Sequence, residues 1–356
     1  MIVRLRRQAP PEVLAEVLRR IEAHGLRPDV SEGTDRTVVG IIGDTRTLDE
    51  DLFREIEGVD SVHRITRPYK LVSREFRGET RRIRLGDLTL GDGSVAIVAG
   101  PCSIEGREMI LELAAAVKEA GAQALRGGAY KPRSSPYSFQ GLGSEGLAYL
   151  AEARARTGLP IITEATGTNH HPKADGSIEA ERILDQVIET SDVIQIGARN
   201  MKSYGLLEET ARLSAPRGKP VLLKRGEAAT LEEFLLAGEY LALHGNEEII
   251  LCLRGIRTFE SGELQRYTSD IAAIPILKRL SCLPVFFDPS HATGDRHLVR
   301  DLALAAVAAG ADGLLIETHA RPQEAWSDGQ QCVTPAELAR IVADVRRLEA
   351  LRRPDR

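Results

Sequence analysis

The strongest constraint on this chain is a rhythm. Between residues 95 and 317, eight short apolar runs alternate with helical patterns, and each run leads to a residue able to hold a metal, a phosphate or a carboxylate. Strands that alternate with helices call for a parallel sheet, because parallel neighbours need a crossover between them. Eight such units close into a barrel whose strand ends share one face. In order, the runs lead to Cys102, to Arg126 and Lys131, to Glu164, to Arg199, to Lys224, to Arg254, to Asp288 with His291, and to Glu317. The pattern predicts an α/β fold: a (β/α)8 TIM barrel with one crowded polar mouth.

Such a barrel needs roughly 250 residues, so a chain of 356 leaves room for a small extra domain. Residues 1–66 read as βαββαβ. A strand at 2–5 is followed by a helical face of Val13, Leu14, Val17, Leu18 and Ile21, a strand pair at 27–31 and 37–42, a short helix at 52–56 and a strand at 59–65. This ferredoxin-like unit suits a regulatory module or a dimerisation plate. Residues 67–93 form a basic connector with Arg74, Arg77, Arg81, Arg82 and Arg84, charges expected to be mostly solvated, which closes the barrel bottom as a short hairpin. The barrel itself spans 94–352. A capping box of Thr230 and Glu233 and an N-cap at Thr334 before Pro335 mark two helix starts. Residues 166–176, with His170 and His171, lengthen the loop after the third strand.

With 47 basic against 52 acidic side chains, the net charge of -5 favours neither nucleic acid nor an anionic membrane as a bulk partner. Cys102, Cys252, Cys282 and Cys332 lack metal-finger or disulfide spacing, which fits a reducing compartment. No signal-type segment opens the chain and no apolar run approaches the roughly 20 residues that span a bilayer. A cytoplasmic protein is expected.

Cys102, His291, Glu317 and Asp328 combine a thiol, an imidazole and two carboxylates, a set suited to a borderline divalent ion. Singly, a cysteine or histidine is more often a structural residue. Jointly they follow strands one, seven and eight, which become neighbours when the barrel closes. Across the mouth stand Arg126, Lys131, Arg133, Arg199, Lys224 and Arg254, with Glu164, Asp288 and Asp312 as counter-charges. The segment KPRSSPYS from Lys131 adds a rigid, hydroxyl-rich loop. Two anion pockets beside a Lewis acid point to the joining of two phosphorylated small molecules.

The motifs AGPCSIEG (99–106), LRGGAYKPRSSPYSFQGLG (125–143), IQIGARN (194–200), PVLLKRG (220–226), GIRTFE (255–260) and DPSH (288–291) resemble the type I β 3-deoxy-D-arabino-heptulosonate 7-phosphate (DAHP) synthase family, which carries an N-terminal ferredoxin-like domain. The resemblance covers nearly the whole chain. It implies condensation of phosphoenolpyruvate with erythrose 4-phosphate, one divalent metal (Mn, Fe, Co, Zn or Cd), an aromatic amino acid effector (Tyr or Phe) and a homotetramer. Carried over by position, the metal ligands are Cys102, His291, Glu317 and Asp328. The phosphoenolpyruvate contacts are Arg126, Lys131, Arg199, Lys224 and Arg254, and the aldose phosphate contacts are Lys131, Pro132, Arg133 and Ser134. Lys131 is the expected proton-transfer group, its pKa pulled down by neighbouring cations. Three departures stand out: Leu253 where the family commonly has Glu, Thr318 and Ala320 where it often has Val and Pro flanking the His, and the long third loop with His170 and His171. Two alternatives are 3-deoxy-D-manno-octulosonate 8-phosphate synthase, which generally carries a KAN-type motif in place of KPRSS, and a catalytically inactive regulatory paralogue.

Overall fold

Apolar residues at positions 13, 14, 17, 18 and 21 repeat at helical spacing, and Pro11 at the first turn has no amide to waste, so the helix Pro11–Ala23 forms with Val17 and Ile21 buried. It packs with four strands: β1 (Ile2–Leu5), β2 (Arg27–Glu32), β3 (Thr37–Ile42) and β4 (Val59–His63). They order as β2-β3-β1-β4, all antiparallel, with Ile2 opposite both Gly40 and His63. Val3, Val39, Ile41, Phe53 and Val62 fill the core beneath. The second helix is a single turn, Asp51–Arg54, shorter than the 52–56 expected. The computed structural model describes residues 1–32, 37–45, 48–63, 68–131, 135, 137–166, 171–172, 178–179, 183–260, 262 and 265–352.

The chain divides into two units, Met1–Thr80 with Arg279–Cys282, and Arg81–Lys278 with Leu283–Arg356. The second begins with a hairpin of β5 (Ile83–Leu85) and β6 (Leu88–Leu90). Then come β7 (Ala96–Gly100), β8 (Ala124–Arg126) and β9 (Ile161–Ala165). A two-residue pair follows, β10 (His171–Pro172) and β11 (Ile178–Glu179), so the long third loop carries a small ladder of its own. The remaining strands are β12 (Val193–Ile196), β13 (Val221–Lys224), β14 (Ile249–Leu253), β15 (Val285–Phe287) and β16 (Gly313–Glu317).

Eight of these strands close a parallel barrel, β12-β13-β14-β15-β16-β7-β8-β9. Their two faces are both covered, which explains why they read as continuous apolar runs without alternation. Polar side chains enter toward the C-terminal ends, among them Arg126, Glu164, Gln195, Lys224 and Glu317. At the opposite end the hairpin inserts Ile83, Leu85 and Leu90 among Ala96, Ile162, Leu222, Ile250, Phe286 and Leu315. The hairpin is thus a stopper for the barrel floor. Leu90, 1 % exposed, makes it testable: Leu90→Ala is expected to lower stability by about 2–5 kcal/mol in denaturant unfolding. A loss below about 1 kcal/mol would mean that the stopper is not packed.

One expectation for the connector needs correcting. Arg82 and Arg84 are exposed, but the Arg81 side chain is only 10 % exposed and pairs with Glu247 and with Glu248, the latter at 2.8 Å. Those partners lie more than 160 positions away, at the start of β14, so no local pattern reveals them. Both capping motifs form as read: Thr230 Oγ1 accepts from Glu233 N at 3.1 Å, and Thr334 Oγ1 from Glu337 N at 3.2 Å. Among the described residues no helix is long and apolar enough to cross a membrane.

Candidate active site

Barrel closure sets β16 beside β7, with Glu317 opposite Gly100, so residues more than 200 positions apart meet at one rim. Cys102 follows β7, Glu317 ends β16, and His291 lies in the short helix Pro289–Thr293 after β15. Asp288 caps that helix, accepting from His291 N at 2.9 Å. Asp328, in the loop beyond β16, has φ +53°, a left-handed conformation that Asp tolerates better than most residues. One donor atom from each of Cys102, His291, Glu317 and Asp328 lies within 4.8 Å of all the others.

The chemistry of this quartet is that of a cation site. Burial pushes the His291 imidazole below its ordinary range, so the ring is neutral near pH 7. Its Nδ1 lies 2.7 Å from Asp288 Oδ2, which can only accept, so Nδ1 carries the proton. Nε2 therefore presents a lone pair to Glu317 Oε1 at 3.3 Å. A cation between these two acceptors would satisfy both. Burial raises the Cys102 thiol to about 12, with Glu317 adding to the rise, and its Sγ lies 2.9 Å from Asp328 Oδ2. Burial alone would raise Glu317, but the positive charges around it, Arg126 among them, outweigh it and hold that carboxylate below its usual range. The residues fit a divalent metal: a thiol whose proton a metal can displace, an imidazole already in its ligating tautomer, and two ionised carboxylates.

The facing wall is basic. Arg126, Lys131, Arg199, Lys224, Arg254 and Arg266 line one cavity, together with His291 and Asp328. Lys224 is buried in an ion pair with Asp288, and Arg126 Nη1 reaches Glu317 Oε1 at 2.6 Å. The buried Arg126 Nε has no hydrogen-bond partner among the described residues, a donor left for an incoming anion. Arg199 lies on the turn Ala198–Asn200 and is exposed. The amide of Lys131 donates to Gln140 O at 2.8 Å, and its stem crosses the backbone so closely that a Cβ on Gly128 would lie 2.4 Å from Lys131 Cδ. Only glycine fits there.

Three expectations need revision or fall out of view. Lys131 is not pulled down: burial acts that way, but Cys102, Glu164 and Glu317 outweigh it and Arg126, so the amine sits above its ordinary value. Asp312 is no counter-charge of the mouth. It precedes β16, at the closed end, where it accepts from Val285 N at 2.8 Å and pairs with Lys278 at 2.5 Å. Pro132, Arg133 and Ser134 lie outside the described residues, as does His170.

The structure also adds residues. Gln331 donates to Glu317 Oε2 and accepts from Arg266 Nη1 at 2.8 Å, and Arg266 reaches Asp328 Oδ1 at 3.4 Å. Glu227, Gln195 and Tyr267 line the same cavity. These lie on irregular segments or inside a strand and carry no spacing signal, except that Glu227 closes the KRGE string after β13.

Comparisons with known proteins identify the family. The model of the DAHP synthetase I family matches residues 72–350, and that of the DAHP synthase ferredoxin-like domain matches residues 1–67. The chain is 47% identical over 348 residues to a phospho-2-dehydro-3-deoxyheptonate aldolase of Thermotoga maritima, covering 98% of this chain and 97% of that one. A 2-dehydro-3-deoxyphosphooctonate aldolase of Caulobacter vibrioides is 33% identical over 281 residues, 74% of this chain and 90% of its own. Among solved structures, the Thermotoga maritima DAHP synthase superposes with a TM-score of 0.73 at 46% identity, covering 98% of this chain and 96% of that one. A truncated form of the same enzyme superposes with 0.68 at 45% identity, covering 78% and 95%. A match along most of the barrel and a second over the N-terminal unit, with near-complete coverage of the Thermotoga relative, establish that this chain belongs to the DAHP synthetase I family.

Proposed function

We infer that the chain joins phosphoenolpyruvate to D-erythrose 4-phosphate with uptake of water, giving DAHP and inorganic phosphate, the first step of the shikimate pathway. The observation that carries this reading is that four side chains able to hold a metal converge, two of them, His291 and Asp328, lining the same cavity as six cations. Cys102, His291, Glu317 and Asp328 would hold one divalent ion, from among Mn, Fe, Co, Zn and Cd. Bound there, it would supply Lewis acidity that polarises the aldehyde carbonyl or activates water.

The chain's own residues bind and orient. Arg126, Lys131, Arg199, Lys224 and Arg254 hold the carboxylate and phosphate of phosphoenolpyruvate, and Lys131, Pro132, Arg133 and Ser134 hold the aldose phosphate. The methylene carbon of phosphoenolpyruvate bonds to the aldehyde carbon, and the resulting alkoxide takes a proton. Water oxygen enters at the former enol carbon and phosphate leaves. Lys131, charged at neutral pH, is poised to give that proton and to balance the leaving phosphate. Its role is therefore that of an acid.

Phosphate release from phosphoenolpyruvate, measured with erythrose 4-phosphate and separately with arabinose 5-phosphate, with and without EDTA, tests the reading. Release with erythrose 4-phosphate alone, lost on chelation, is expected. Release only with arabinose 5-phosphate would assign the octulosonate reaction, and none with any metal would mark an inactive regulatory barrel.

Residues 1–66 serve as a regulatory domain for an aromatic amino acid, Tyr or Phe, with 67–93 as connector and 94–352 as catalytic barrel. The cytoplasm as location and a homotetramer as assembly belong to the same proposal. Deleting residues before Pro68 is expected to leave an active enzyme that no longer responds to Tyr or Phe in a steady-state assay. Inhibition that persists in the truncated chain would contradict the assignment.

A further inference from the structure

Arg254 stands apart from the other buried cations of the mouth. Arg126 is paired with Glu317 and Lys224 with Asp288, yet Arg254, 6 % exposed, has no ion pair or hydrogen bond among the described residues. The preceding residue, Leu253, is buried and apolar, so no carboxylate adjoins the guanidinium from the strand. A ring meets it instead. The guanidinium carbon lies 4.1 Å from the centroid of Tyr267. An aromatic face attracts a cation without occupying its N–H donors or cancelling its charge. Arg254 is thereby oriented with its N–H donors left for an anion.

The ring is itself held from several sides. Tyr267 N donates to Ala292 O at 3.0 Å, and on its flanks Arg266 N donates to Thr293 O at 2.9 Å and Thr268 N to Ile256 O at 3.0 Å. Gly255, beside Arg254, has φ +84°, and a Cβ there would lie 2.9 Å from Tyr267 Cβ, so glycine opens the space in which the ring lies. The phenol donates to Glu227, a carboxylate that this bond and the nearby Arg257, Arg254 and Arg199 hold below its usual range. Donation to an anion enriches the ring and strengthens its attraction for the cation above.

We propose that Tyr267 is a positioning residue for substrate binding: its ring sets the Arg254 guanidinium, with its donors uncommitted, where it meets the anionic groups of phosphoenolpyruvate, and Glu227 fixes the ring from its hydroxyl end. This rests on the reading of the cavity as a phosphoenolpyruvate site. Titration calorimetry of the full, Mn²⁺-loaded chain with phosphoenolpyruvate provides the test. Tyr267→Leu is expected to weaken binding about tenfold and Tyr267→Phe by no more than about threefold. Pentafluorophenylalanine in place of Tyr267 keeps the shape of Phe but depletes its π face, and is expected to bind as weakly as the Leu variant. In steady state the loss appears in KM for phosphoenolpyruvate more than in kcat. Equal affinity of the Phe and pentafluorophenylalanine variants would overturn the proposal even if the Leu variant failed to fold. A parent chain that does not bind phosphoenolpyruvate would sink the proposed function and this inference together, a result distinct from equal binding by the fluorinated pair.

Discussion

Exhaustive chelation is expected to lower phosphate release from phosphoenolpyruvate by at least about 10³-fold, and added Mn²⁺ to restore it. The size of the effect follows from how completely the quartet is committed to a cation. His291 is held by Asp288 with its lone pair toward Glu317, and Cys102 keeps its proton beside Asp328 in the metal-free chain. Because the thiol sits at about 12 without metal, binding must expel its proton, and affinity is expected to fall as pH falls. Titration of the metal-free chain with Mn²⁺ at pH 8 and pH 6 checks the sign. Undiminished activity in a chain shown to be metal-free would remove the ion from the reaction.

Lys131→Met is expected to reduce turnover by about 10²–10⁴-fold while leaving metal content intact. Methionine keeps much of the stem that passes over Gly128 but lacks the ammonium. In the parent chain burial alone would lower the pKa of the amine, but the acidic groups around it, Glu164 and Glu317 among them, outweigh that and keep it charged. The variant therefore loses a proton donor and a substrate-facing charge at once. Metal analysis and thermal unfolding separate this loss from collapse of the site. Turnover within about threefold of the parent, with metal bound, would release Lys131 from any part in proton transfer.

Much of this site is legible in the sequence because a barrel converts sequence spacing into geometry. Each apolar run is a strand, and the residue that follows it must reach the common face, so Cys102, His291 and Glu317 could be brought together from their strand numbers alone. The same reasoning misplaced Asp312, because an apolar run does not say which of its flanking charges precedes the strand and which ends it. Arg266, Tyr267 and Gln331 stayed hidden for another reason. They occupy irregular segments after β14 and β16, where position is fixed by single bonds such as Tyr267 N to Ala292 O rather than by any period. The pKa of Lys131 was misread because the sequence shows which cations are near but not the buried anions that outweigh them.

Metal-edge X-ray absorption of the chain loaded with one equivalent of Zn²⁺ tests the convergence of Cys102, His291, Glu317 and Asp328 most directly. One sulfur ligand at about 2.3 Å among nitrogen and oxygen ligands is expected, lost in Cys102→Ser. A shell of nitrogen and oxygen alone, unchanged by that substitution, would contradict it.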